Sequence, residues 1–83
     1  MARPNGCALV TGSSRGIGAA SALALSRRGW PVRVNYRRDE EGAREVAERI
    51  VAEGGRARVL QADVSDAGAL ARLLEPGEDG PVL

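Results

Sequence analysis

Glycines at positions 12, 16 and 18, set directly behind the apolar run Cys7, Ala8, Leu9 and Val10, constrain this chain more than any other feature. A short continuous apolar run suits a strand covered on both faces. The glycines then turn the chain from that strand into a helix. Gly12 permits the tight turn, Gly16 lets the main chain approach a ligand, and Gly18 allows the new helix to pack closely on the sheet. Such an elbow offers backbone N–H groups with no Cβ in the way, at the positive end of a helix dipole, which is what a diphosphate needs. The alternative is a glycine-rich turn that merely joins two elements. The context favours the cradle: a strand ahead, a helix behind, and a second strand ending near Asn35.

The rest of the chain repeats this alternation. Over residues 16 to 28, Ile17, Ala20, Leu23 and Ala24 recur at helical spacing as the expected inward face, Arg27 and Arg28 suit the last turn, and Gly29 stops the helix. Pro31, Val32, Arg33, Val34 and Asn35 alternate as a second strand. Asp39 is placed to cap a second helix, in which Ala43, Val46, Ala47, Ile50 and Val51 mark one face. Residues 56 to 61 read as a third strand, with Val59 and Leu60 on opposite faces. Ser65 or Asp66 caps a weaker helix over residues 67 to 74. A charged, turn-rich loop over residues 76 to 80 leads to Pro81, Val82 and Leu83, which look like the opening of a fourth strand.

This pattern predicts an α/β fold, a Rossmann-like parallel sheet of strand order 3-2-1, with helices mainly on one face. The third helix can cover the other face only if a strand returns beside the first. Without that strand, the first strand is an exposed apolar edge and half the sheet lies bare. Residues 1 to 83 are therefore expected to be one incomplete domain, truncated before the fourth strand.

Composition narrows the chemistry. Twelve basic residues against eleven acidic ones give a net charge of +1. The arginines are scattered and aromatics are nearly absent, so neither nucleic acid nor an anionic membrane is an expected partner. All the basic residues are Arg. With no Lys or His, Ser13, Ser14 and Ser65 have nothing to activate them as nucleophiles, and no catalytic residue is expected in this chain. The lone Cys7 reads as a small core hydrophobe, and no metal site can be built on it. Residues 1 to 6 hold no apolar region or cleavage pattern, so neither a signal peptide nor a membrane span is expected and a cytoplasmic protein is the default.

The spacing T-G-x-x-x-G-x-G over residues 11 to 18 differs from the commoner G-x-G-x-x-G. It resembles that of the short-chain dehydrogenase/reductase family, whose members bind NAD(H) or NADP(H). The resemblance extends through Val34-Asn35-Tyr36-Arg37-Arg38 and Gln61-Ala62-Asp63-Val64-Ser65 to about Leu74. It covers the amino-terminal third of such a protein, most similar to 3-oxoacyl-acyl-carrier-protein reductases. The resemblance implies that N–H groups and hydroxyls of Ser13, Ser14, Arg15, Gly16 and Ile17 hold the diphosphate and adjoining ribose, and that Asp63 and Val64 line the adenine. Asp63 as an ordinary helix-entry residue is the alternative.

Cofactor choice turns on what meets the ribose 2′ position. A carboxylate there accepts from a 2′-OH and repels a 2′-phosphate, whereas this chain offers Asn35, Tyr36, Arg37 and Arg38, with Asp39 explained as a cap. Arg15 and Arg37 are placed to converge on one phosphate, so NADP(H) is preferred over NAD(H); a solvated arginine surface is the alternative. The family's catalytic Tyr, Lys, Ser and Asn all lie beyond residue 83, and its members are homo-oligomers whose interface elements lie there too. The expected function is the cofactor-binding portion of an NADP-dependent oxidoreductase that transfers hydride to a ketone or 3-oxoacyl group. The alternative is a non-catalytic nucleotide- or partner-binding module that pairs its open strand edge with another chain.

Overall fold

A computed structural model describes residues 5–83, so the expectation of no leader segment falls partly outside the described residues. The chain forms β1 (Ala8–Val10), α1 (Gly16–Arg27), β2 (Val32–Tyr36), α2 (Glu40–Ala52), β3 (Ala57–Gln61) and α3 (Ala67–Leu73). The strands make one parallel sheet with β2 in the middle. Val10 pairs with Val34, and Val34 with Val59. The strand order 3-2-1 is thus the one the sequence predicts.

Alternation along β2 divides the interior in two. Val32 and Val34 face α1 and α2, where they pack with Ala22, Ala43, Val46 and Ile50. A fully buried aliphatic side chain of this kind contributes about 1.5–3 kcal/mol. The outer face of α2 is solvated and held by the exposed i, i+4 pair Arg44–Glu40 at 2.7 Å. Val59 joins this core while Leu60, its neighbour, packs on the opposite side with Leu9, Ala62, Ala69 and Leu73.

Two helical faces differ from expectation. Ile17, Ala20 and Ala24 are exposed, and α1 instead packs inward through Ala22 with Ala19, Leu23 and Leu25. This helix is apolar almost all round, so periodicity does not single out a face, and the small Ala22 allows the close approach. On α2 the expected set holds except for Val51, which is exposed at 59%.

The second face of the sheet is not bare. It is partly covered by α3, with Leu9 and Leu60 half-buried, and carries a buried Arg33 whose guanidinium reaches the Leu73 carbonyl at the end of that helix at 2.7 Å. The start of a fourth strand is also present. Cys7 N–H donates to the Pro81 carbonyl at 2.9 Å and Leu83 N–H to the Cys7 carbonyl at 3.1 Å, a parallel bridge of Cys7 with Val82. The returning chain is therefore paired at Cys7, just ahead of β1, and α3 lies between β3 and this return. Cys7 itself is fully buried, and burial pushes its thiol pKa up, as suits a core residue.

Candidate functional site

All three strands are parallel, so their carboxyl ends meet at one rim, which carries the glycine turn after β1, Arg37 and Arg38 after β2, and Asp63 and Val64 after β3. Gly12 has φ 59° and Gly16 φ 63°, the left-handed region in which a Cβ costs roughly 1–2 kcal/mol. A methyl group on Gly18 would collide with the Gly12 carbonyl oxygen and come within 2.9 Å of the Ser13 Cα. The close approach that Gly18 permits is thus to the main chain of the turn itself, rather than to the sheet.

The three helices begin differently. Asp39 caps α2 by accepting from Gly42 N–H at 3.0 Å, and Asp66 caps α3 by accepting from Gly68 and Ala69 N–H at 2.9 and 3.1 Å. At α1 the cap position is Arg15, in extended conformation; no side chain accepts from the first turn and no acid lies in it. The free N–H groups and positive dipole end of α1 therefore point at the rim without an internal anion. Arg15 itself is exposed and forms no side-chain hydrogen bond or ion pair among the described residues.

Behind the turn stand two residues that the sequence placed at the ligand. Ser13 is fully buried: its N–H donates to the Asn35 carbonyl at 2.9 Å, and its hydroxyl donates to the Val10 carbonyl at 2.7 Å and accepts from Asn35 N–H at 3.0 Å. Asn35, 2% exposed, accepts on Oδ1 from Gly12 N–H at 3.1 Å, and its amide nitrogen donates towards the Leu60 and Ala62 carbonyls at 3.2 and 3.3 Å. These polar groups complete a buried network that ties the ends of all three strands to the turn. Ser13 and Asn35 brace the turn, and their donors are all engaged within the protein.

At the rim, the Arg37 guanidinium lies 3.4 Å from the Asp63 carboxylate, both partly exposed, and Arg38 is exposed beside them. Asp63 accepts from the Ser65 hydroxyl at 2.6 Å and from Ser65 N–H at 2.9 Å. Those bonds, with the charges of Arg37 and Arg38, hold its carboxyl below the usual range, so it is ionised at neutral pH. The cap of α3 is Asp66, not Asp63. Tyr36 is half-buried against the apolar core, and its ring belongs to the packing of β2 against the helices. Ile17 and Val64 are 87% and 42% exposed, leaving apolar surface open beside the polar turn.

Two supports escaped the sequence. Gly42 in α2 lies so near the turn that a methyl group there would come within 2.7 Å of the Ser14 carbonyl oxygen. Gln61 donates to the Arg37 carbonyl at 3.0 Å, steadying the segment after β2. Gly42 sits in no motif, and only its place in the first turn of an otherwise good helix hints at close packing; Gln61 opens the segment Gln61-Ala62-Asp63-Val64-Ser65, but nothing local points to its bond with Arg37.

Residues 6–78 match the family described as short chain dehydrogenase. Versicolorin reductase 1 of Aspergillus parasiticus is 54% identical over 67 residues, which are 81% of this chain and 26% of that protein. A metagenomic short-chain oxidoreductase in complex with NADP has a TM-score of 0.78 at 42% identity, covering 87% of this chain and 32% of the other. The landomycin C-6 ketoreductase LanV, with bound NADP and rabelomycin, has a TM-score of 0.76 at 43% identity, covering 83% and 28%. The chain spans about a quarter of the length of the curated relatives it matches. No helix among the described residues is long and apolar enough to cross a membrane. The family match runs through every strand and helix described above, and the chain belongs to the short-chain dehydrogenase family.

Proposed function

We propose that this chain holds the adenosine and diphosphate part of NADP(H) and is the cofactor-binding portion of an oxidoreductase acting on a ketone. The observation that carries this is the open first turn of α1, uncapped and free of acids, behind glycines in left-handed conformation. The N–H groups of residues 14–18 hold the diphosphate, with Ser13 and Asn35 fixing the turn from behind. Asp63 and Val64 line the adenine. The bound cofactor supplies the hydride; these residues only bind and orient it.

Selection of the phosphorylated form rests on Arg15, Arg37 and Arg38. No free carboxylate competes at the end of β2, because Asp39 is spent on its helix. Arg37 is 61% exposed and its pairing with Asp63 is loose, so it can turn to a 2′-phosphate at little cost. NADP in two related structures supports the same choice. A ketone, of which the 3-oxoacyl class is our candidate, fits a family member whose relatives include a ketoreductase. The proton-donating machinery lies outside residues 1–83, in a longer cytoplasmic protein that this domain serves; alone, the 83 residues reduce nothing.

Calorimetric titration tests this directly. NADPH should bind saturably and about tenfold or more tighter than NADH, the difference expected of charge-assisted hydrogen bonds. Arg37→Ala should weaken the preference while leaving NADH affinity unchanged. Equal affinities in the unmodified chain would overturn the NADP assignment, and an absence of binding by either nucleotide would overturn the cradle.

A further inference from the structure

Arg33 lies mid-way along β2, on the face that α3 covers, and its side chain is 1% exposed. A guanidinium does not shed its proton, so burial obliges it to find partners. Every one comes from the chain beyond β3. Nε donates to Asp79 Oδ2 at 3.0 Å and Nη2 to Asp79 Oδ1 at 2.8 Å, a two-pronged ion pair. Nη1 donates to the Leu73 carbonyl at 2.7 Å, and Nη2 also approaches the Gly80 carbonyl at 3.4 Å.

Directly after Gly80 the chain pairs with Cys7, the residue just ahead of β1, through Cys7 N–H and Leu83 N–H. Apolar burial contributes little there: Pro81 is exposed, Val82 half-buried and Leu83 67% exposed. We infer that Arg33 and Asp79 form a latch that seats residues 77–83 beside Cys7 at the foot of β1, so that the register of the returning segment is set by a buried ion pair at its base. Arg33 is then a positioning residue. It holds, from below, a segment that runs parallel to β1 towards the rim bearing the glycine turn.

The charged and titratable groups facing Asp79 are Arg33 from β2, Arg58 from β3 at 3.4 Å and the buried Cys7 thiol at the start of β1, with Glu78 adjacent in the loop. Arg33 dominates, holding the Asp79 carboxyl down at about 2, and the half-exposed Arg58 adds less. The latch is therefore closed at neutral pH and opens only in strong acid.

Amide hydrogen exchange on the whole chain tests it at neutral pH. In Asp79→Asn, protection at Cys7 and Leu83 should fall about 100-fold, as breaking a buried pair requires, while amides of Val46 and Ile50 in α2 lose clearly less. Arg58→Ala should leave all four unchanged. Retained protection at Cys7 and Leu83 in Asp79→Asn, an equal loss in α2, or equal opening by Arg58→Ala would each overturn the latch. If Asp79→Asn does not fold, an acid titration of the unmodified chain decides. Gly80 and Leu83 amide signals should then follow the Asp79 carboxyl before α2 signals move, and a single concerted transition of all signals would overturn the latch.

Discussion

The two sides of β2 are built on opposite principles. Towards α1 and α2, Val32 and Val34 enter an apolar core in which any aliphatic group of similar volume would serve. Towards α3, Arg33 and Asn35 are buried to 1% and 2% exposure, and each holds a specific loop: residues 77–80 in one case and the glycine turn in the other. One face supplies stability that is general and interchangeable. The other converts part of that stability into the placement of two segments that have no apolar anchor of their own.

The largest expected effect lies on the apolar side. Ile50→Ala leaves a cavity in a fully buried site and should cost about 2–5 kcal/mol in denaturant unfolding. It should leave the cofactor preference of the folded fraction intact. On the polar side, Asn35→Ala strands the Gly12 N–H and the Leu60 and Ala62 carbonyls. Its cost in the same measurement should be roughly 2–3 kcal/mol, but NADPH affinity should fall with it. If Ile50→Ala impairs binding as much as Asn35→Ala, the two sides are not distinct.

The third effect concerns pH. Asp79 has its carboxyl lowered from 3.8 to about 2 in the folded chain, mainly by bonding to Arg33. A depressed carboxylate stabilises the fold fully above its unfolded value and loses that contribution as pH falls through the folded value. About 2 kcal/mol should therefore disappear between roughly pH 4 and pH 2. Stability curves measured across that window should flatten in Asp79→Asn. The smallest effect is at the surface, where Arg44→Ala removes the exposed pair with Glu40 and should leave the melting temperature unchanged within error.

What could be read from the sequence follows the same division. The glycine turn, the capping Asp39 and the α2 face are local patterns, set by residues a few positions apart, and the structure has the turn, the cap and most of the face. The inward face of α1 was not legible, because a helix of Gly, Ala, Leu and Ile leaves several faces equally apolar. Arg33 was legible only as a strand residue, since its partner stands 46 positions away and no pattern links them. Ser13 and Asn35 are site candidates in the sequence, but their separation of 22 positions hides the fact that they bond to each other. Polar groups buried by long-range contacts leave no periodic trace, which is why the brace and the latch emerge only from the fold.

Nuclear magnetic resonance mapping of NADPH binding to the whole chain addresses the central claim most directly, that the open turn of α1 receives the diphosphate. Saturable shifts should centre on the amides of residues 14–18, with smaller ones at Arg37, Asp63 and Val64 and none at Cys7, Gly80 or Leu83. Saturation with residues 14–18 unmoved, or shifts centred on the opposite end of the sheet near Pro31 and Arg56, would contradict the account.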